Sequence, residues 1–393
     1  MNQLLPRPEP QRSLCEHRLS DQIHIGLATT AKEKEKVYRL RYQIYVEEMG
    51  RRISRVNHRQ RLLYDDMDDW GLLFYARVGR EFVGTVRLHI GSKDDFAPEL
   101  VETLAMDKFQ QYRPSTGHPH PLSFASKGMV APHCRNSKVL NLLTTAFYQE
   151  CRNQGVVFNF VGCAPAIVAM HEHLGARRYK DNFFVPDYGC MIPLVNLLED
   201  VEHLNHVRSP FRLVAGQWPA SAESAAWFAR QFPHAPTRFI NKPLTDEAAL
   251  WRIIGEKLGQ PPETTVGIFR GLSAAEASIC AHAGHIVSFD QGDTVVYPDD
   301  VSDEIFVVVA GALAARRHIA GRRQARTLLR PGQAYGKKTF VAHARQNATV
   351  VAQTDTDLLV LPRQALERLK LQHPAVAAKL LHNIGVRTAR KYA

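Results

Sequence analysis

The spacing of apolar positions changes several times along the chain, and each change marks an element. KEKEKVYRLRYQIYVEEMG, ending at Gly50, brings Val37, Leu40, Arg41, Ile44 and Tyr45 near one face at helical spacing. LLFYARV and VGTVRLHI alternate as strands do, and GREF between them predicts a hairpin. SFASKGMVA reads as a further strand, and VLNLLTTAFYQECRNQG as a helix that stops at Gly155. VVFNFVGCA is again strand-like, and AIVAMHEHLG is a short helix with a glycine stop. Helical and strand periods thus alternate over residues 21–205, as in a mixed α/β domain. Residues 206–262 hold Pro210, Pro219, Pro233, Pro236, Pro243, Pro261 and Pro262 around short amphipathic stretches such as DEAALWRIIGEKLG. That segment predicts a linker with helices of its own. Residues 263–393 read as short strands punctuated by glycines, then a helical tail. The expected fold class is α+β: a mixed α/β domain, a partly helical linker and a β-roll with a terminal helix.

Composition narrows the class. A chain of 393 residues with 45% hydrophobic positions suits two cores and their connectors. No apolar run has the length of a membrane span. Residues 1–20, with MNQLLPRPEPQRSLCEHR, lack an apolar core of signal-peptide length and read as a flexible tail. The six cysteines are scattered, with no metal-ligand spacing. Reduced thiols, a cytoplasmic location and no bound metal are therefore the expectation. The net charge of +11 points to nucleic acid, anionic membranes or acidic proteins as partners. Two basic clusters carry part of it: RRISRVNHRQR from Arg51 to Arg61, and Arg316, Arg317, Arg322, Arg323, Arg326 and Arg330. Either is equally read as a solvated loop or hairpin face.

The strand SKGMVAP runs directly into HCRNSKVLNLLTTAF, which opens a helix. A helix N-terminus offers unpaired backbone N–H groups and the positive end of a dipole. That arrangement suits a pyrophosphate or another polar carrier arm.

These residues resemble the GNAT superfamily of acyltransferases. Arg135, Asn136, Ser137, Lys138, Val139 and Leu140 stand where its carrier-binding loop reads Gln/Arg-x-x-Gly-x-Gly/Ala, so both loop glycines are replaced, by Lys138 and Leu140. His171, Glu172, Leu174 and Gly175 stand where it reads Tyr-Glu-x-Leu-Gly. LRYQIYVEEMG, YDDMDD and VGTVRL are similar to the branch of acyl-homoserine lactone synthases and long-chain N-acyl amino acid synthases. In that branch a first-helix arginine, two acidic residues and a strand arginine recur; here these are Arg41, Asp65, Asp68 and Arg87. The branch's Glu-x-Ser-Arg strand reads Phe124-Ala125-Ser126-Lys127, without the acid. The resemblance implies transfer of an acyl group from an acyl-carrier-protein or CoA thioester to an amine. It implies carrier contacts at Met129, Val130, Arg135, Asn136, Ser137, Lys138 and Val139, with oxyanion N–H donors near Met129 and Val130. His171 takes the place of the acid that protonates the thiolate, or is a helix-surface histidine. Asp65 and Asp68 hold the amine or relay its proton, or form an exposed acidic turn. Arg41 and Arg87 pair with those aspartates, or bind a substrate carboxylate. The basic run from Arg51 would suit docking of an acidic carrier protein.

The C-terminal segment resembles the cyclic-nucleotide-binding domain, on Phe289, Gly292, Asp293, then Asp303, Glu304, Phe306 and Gly311, then Gly332, Tyr335 and Gly336. In that family a glutamate takes the ribose hydroxyl and an arginine the cyclic phosphate. Lys337 and Gln346 stand at those positions, and Arg345 is displaced by one. The nucleotide-like pocket would comprise Gly336, Lys337, Lys338, Arg345, Gln346, Ala348 and Thr349. A cyclic nucleotide in an altered mode, another anion, and no ligand are the three readings. The terminal helix carries an apolar stripe, Leu366, Leu369, Leu380, Leu381, Ile384 and Val386; in the family it resembles, such a helix follows the roll and often dimerises, which implies a homodimer. No helix-turn-helix follows, so DNA is not an expected partner, while the arginine hairpin suits a peripheral membrane contact.

The leading expectation is an N-acyltransferase that moves a medium or long acyl chain to a small amine, such as an amino acid, with the roll regulating or scaffolding it. The alternatives are an acetyl-CoA-dependent protein lysine acetyltransferase under nucleotide control, and a non-catalytic ligand sensor.

Overall fold

The computed structural model describes residues 23–389, except 116, 118, 119, 302, 318–325 and 343, and the side chains of 386–389. The predicted tail, Cys15, Arg322, Arg323 and the Val386 side chain lie outside the described residues.

An eight-stranded sheet forms the N-terminal half, in the order β1-β2-β3-β4-β5-β8-β6 with β7 beside β8. Its strands are β1 (Ile23–Leu27), β2 (Leu72–Val78), β3 (Glu81–Gly91), β4 (Leu122–Val130), β5 (Phe158–Cys163), β6 (Ala176–Arg178), β7 (Phe183–Val185) and β8 (Gly189–Leu197). The helix α1 (Ala31–Tyr42) starts at a Thr30–Glu33 capping box and continues as a π-helix over Gln43–Glu48. Val37, Leu40 and Ile44 enter the core, and the fully buried Arg41 lies on the same face. The helix α2 (Val139–Asn153) buries Val139, Leu143 and Phe147 against the sheet, and α3 (Val168–His173) follows β5.

The decisive local feature is the split between β4 and β5. They pair in parallel from Leu122↔Phe158 to Ala125↔Val161 and then part. Beyond Ala125, β4 pairs only with β3, through an irregular register between Thr85 and Arg87. The residue that takes up the irregularity is Lys127, at φ +53. A strand paired on one side only leaves alternate amides facing the open side, so the split offers backbone donors at the sheet's centre.

Two four-stranded sheets form the C-terminal roll, ordered β10-β15-β12-β13 and β14-β11-β16-β9. Their strands are β9 (His285–Phe289), β10 (Thr294–Val296), β11 (Glu304–Ala310), β12 (Leu313–Arg317), β13 (Arg326–Leu329), β14 (Ala334–Tyr335), β15 (Ala348–Ala352) and β16 (Thr356–Pro362). The helix α4 (Glu223–Gln231) places Phe228 in an aromatic cluster of the first half. The helix α5 (Glu247–Leu258) buries Leu250 and Ile254 in the core of the roll. The Pro-containing segment is therefore mostly helical and packed. In the roll, α6 (Ala274–Ala283) precedes β9, α7 (Lys337–Ala342) follows β14, and α8 (Arg363–Gln372) and α9 (Pro374–Ala389) close the described chain.

The two halves share one apolar cluster. Val161, Cys163, Cys190 and Ile192 pack with Val287, Phe289, Val295 and Val296. Polar groups lock this junction. Arg178, buried, donates to Glu172 at 2.9 Å, to Ile286 O at 3.0 Å and to Ile240 O. His285 Nε2 donates to Pro165 O at 2.7 Å. Arg178 thus ties the Glu172 of the His-Glu-x-Leu-Gly motif to the linker at Ile240 and to β9.

Candidate active site

Asp65 opens a single 3₁₀ turn over Asp66–Asp68 and caps it: its Oδ1 accepts from Met67 N at 3.1 Å, and its own N–H donates to Asp68 Oδ2 at 2.9 Å. That turn points both carboxylates into the sheet. Asp68, 2% exposed, takes Arg41 Nη1 on both oxygens, at 2.8 and 2.9 Å. Arg87 of β3 reaches Asp65, lies 3.0 Å from Asp68 Oδ1, and donates through Nε to Ser126 Oγ at 3.1 Å. The four residues Arg41, Asp65, Asp68 and Arg87 are therefore one network. Both arginines are spent on the aspartates, so their guanidinium groups order the turn. Arg41 Nε and Nη2 remain buried without a hydrogen-bond partner among the described residues.

In the sequence Lys127 stands out only as a departure from the Glu-x-Ser-Arg pattern. The structure joins it to the network. Its side chain is 10% exposed and lies 3.6 Å from Asp65 Oδ2. Its Nζ donates to the Tyr188 hydroxyl and sits over the Tyr188 and Tyr45 rings, 4.1 and 5.5 Å from their centroids. Burial pushes the Lys127 ammonium down to about 8, restrained by Asp65 and helped by Arg87 and Arg41. Burial also opposes the charge on Asp65, but Arg87 outweighs it and holds that carboxyl below its usual range. The only sequence signal for Lys127 was its place next to Ser126 on the strand that parts from β5.

Asp65 also lines an open cavity of about 580 Å³ with Arg55, His58, Arg59, Tyr64 and Asp66. The basic run after Arg51 is thus partly a cavity wall carrying both signs of charge.

The carrier loop is placed where α2 begins. Ser137 Oγ donates to Cys134 O at 2.6 Å and accepts from Val139 N at 3.3 Å. Arg135 is committed to Glu48, at 2.5 and 2.8 Å, and to Val130 O at 3.1 Å. Lys138 lies at φ −71, where a side chain costs nothing, and the left-handed residue is Asn136 at φ +63. The loop keeps its turn without the two glycines. Met129 and Val130 lie on β4 beyond its pairing with β5. His171 is half-buried on α3 and outside the ion network. Burial lowers it to about 4, so it is a neutral imidazole at pH 7.

In the roll, Gly336 sits at φ +90, and a Cβ there would meet Glu304 O at 2.8 Å. Gln346 is buried: it accepts from Tyr335 OH at 3.1 Å and donates to Thr339 Oγ1 at 2.9 Å. Lys337 and Lys338 open α7, while Ala348 and Thr349 pair with Arg317 and Arg316 of β12. Arg345 turns the other way. It donates to Asp299 O at 2.9 Å and crosses to Gly50 O at the end of the π-helix. Next to Gly50, Arg51 donates to Tyr188 O at 3.1 Å.

Comparison with known proteins defines the class. Residues 40–145 match the acetyltransferase (GNAT) domain, and residues 286–373 match the cyclic nucleotide-binding domain. The chain carries an acyltransferase domain of the GNAT type followed by a cyclic nucleotide-binding domain.

Among individual proteins, it is 28% identical over 125 residues to the cyclic AMP receptor protein of Thermus thermophilus, spanning 32% of this chain and 56% of that one. It is 24% identical over 179 residues to the neuropathy target esterase sws of Drosophila melanogaster, 45% of this chain and 12% of that one. The catabolite activator protein structure from Thermus thermophilus covers 32% of this chain and 58% of its own, at 26% identity and a TM-score of 0.30. A cAMP-binding acyltransferase from Mycobacterium smegmatis covers 36% of this chain and 41% of its own, at 20% identity and a TM-score of 0.27. Among the described residues no helix is long and apolar enough to cross a membrane, and no group of three or more His, Cys, Asp or Glu could hold a metal.

Proposed function

We propose that the chain is an N-acyltransferase, moving a medium or long acyl chain from an acyl-carrier-protein or CoA thioester to a small amine such as an amino acid. The observation that carries this reading is Asp65. It belongs at once to the ion network beside the split sheet and to the wall of the charged cavity. An amino acid presents an ammonium and a carboxylate. Asp65 and Asp66 suit the first, and Arg55 and Arg59 suit the second.

The thioester would lie in the opening between β4 and β5, with amides near Met129 and Val130 facing its carbonyl oxygen as charge develops there. The start of α2, with Lys138 exposed beside it, suits a phosphate of the carrier arm. Arg135 is drawn away by Glu48, which favours a donor held by few phosphate contacts. His171, neutral at pH 7, would serve the departing sulfur as a hydrogen-bond donor rather than as an imidazolium. The similarity of residues 40–50, 64–69 and 83–88 to lactone and N-acyl amino acid synthases belongs to the same reading.

The test is acyl transfer by the full chain with carrier-protein and CoA donors of several lengths and a mixture of amino acids and amines, read by mass spectrometry. Long acyl groups on an amino acid support the reading. Acetyl transfer to protein lysines alone would favour the lysine acetyltransferase alternative.

A further inference from the structure

The charges behind Asp65 do not balance. Arg41, Arg87 and Lys127 bring three cations, and Asp65 and Asp68 bring two carboxylates. Arg51, 5.8 Å from the Tyr188 ring centroid, faces the carboxylates of Asp300 and Glu304 and lies outside this count. The groups around Lys127 are Arg41 from α1, Tyr45 from the π-helix, Asp65 and Asp68 from the 3₁₀ turn, Arg87 from β3, and Tyr188 from the turn before β8. Asp68 is held on both oxygens by Arg41, and Asp65 is held by Arg87. Lys127 is left with the 3.6 Å contact to Asp65 and with a phenol.

A surplus buried charge must be matched or lost. The guanidinium groups do not release a proton, whereas a desolvated lysine does so readily. Lys127 is therefore the member of the cluster that can empty, and it sits on the bulge of β4 where the strand parts from β5.

Building on the acyl-transfer reading, we propose that Lys127 is the proton acceptor for the incoming amine. Neutral Nζ takes one proton from the acceptor's ammonium, and the freed nitrogen attacks the thioester carbonyl. A C–N bond forms and the C–S bond breaks. The second proton, shed by the new amide nitrogen, goes to the departing thiolate. Lys127 then gives its proton to solvent, so each cycle yields one amide, one thiol and one proton. The lowered affinity of Lys127 for its proton matches this task, because a general base works best when it titrates near the working pH.

The competing use of a surplus cation is to bind a carboxylate or an oxyanion, and a conservative variant separates the two. K127R keeps the charge and removes the proton acceptor; K127M removes both. Both variants are expected to lose about 100-fold or more in kcat, with KM for the donor little changed and circular dichroism as for the parent. Wild-type kcat is expected to rise through pH 8. Near-full activity in K127R with loss in K127M would overturn the proton role and assign the charge to an anion.

An acceptor-free measurement stands beside this one. In full-length protein labelled at lysine Cε, the NMR signal missing from K127R is expected to titrate near 8; a midpoint above 10 in an active chain overturns this proposal alone. A midpoint near 8 in a chain that transfers no acyl group overturns the acyl-transfer reading, and this proposal with it.

Discussion

At the scale of single residues, Asp68 and Asp65 divide the work that their spacing suggests they share. Asp68 is sealed against two buried guanidinium groups, and Asp65 is the member that reaches both the cavity and Lys127. Removing one partner of a buried ion pair leaves uncompensated charge, typically at 3–5 kcal/mol. Asp68→Asn is therefore expected to destabilise the chain by about 3–5 kcal/mol, read by thermal melting. Asp65→Asn is expected to melt closer to the parent and to lose transfer. The pH dependence follows from the sign of the Asp65 shift. Its carboxyl titrates below its usual value in the folded chain, so its contribution is intact above about pH 4 and is lost only as the pH falls further. Melting between pH 5 and 8 is then expected to show no step from Asp65.

At the scale of elements, the hairpin β2–β3, the strand β4, the helix α2 and the strand β5 follow directly from the alternation and helical spacing of their apolar positions. Arg41 stood out in the sequence because a charge fell on the apolar face of α1. Its partners were legible only through resemblance. The π-helix after Tyr42 was not legible, because propensity does not separate α from π winding; the packing of Tyr45 against Tyr188, with ring centroids 5.5 Å apart, belongs to the tertiary structure. Lys127 was hidden for a similar reason. Its closest partner, Tyr188, is 61 residues away, across the split in the sheet. The carrier loop shows the reverse. Both loop glycines are replaced, yet neither position needs a left-handed backbone, and Asn136 supplies the turn.

At the scale of the whole molecule, Arg345 of the roll reaches across to Gly50 at the end of the π-helix and so joins the roll to the acyltransferase domain. Arg345 holds Gly50, Arg51 holds the turn at Tyr188, and Tyr188 holds Lys127. Arg345→Ala is expected to lower turnover by about tenfold through misplacement of that turn, with no nucleotide present. Cyclic AMP at about 1 mM is expected to move the melting temperature by less than about 1 °C, since Gln346 is turned inward onto Tyr335 and Thr339. The junction also carries a titrating acid. Burial, with Asp303 and Asp300 adding to it and Arg51 opposing it, raises Glu304 to about 7. The folded chain then binds a proton that the unfolded chain has already lost, so stability falls as pH rises from about 4.5 towards 7 and levels off above it. Glu304→Gln is expected to flatten that slope and to raise the melting temperature at pH 8.

The central claim is that the split sheet and the charged cavity together make an acyl-transfer site for a small zwitterionic amine. The most direct test gives the purified full chain long-chain acyl-carrier-protein and acyl-CoA donors with a mixture of amino acids, and follows product and free thiol together. The account predicts an N-acyl amino acid formed in step with thiol release, and its loss in Asp65→Asn. Thiol release without an amide, or no turnover with any donor, would contradict it.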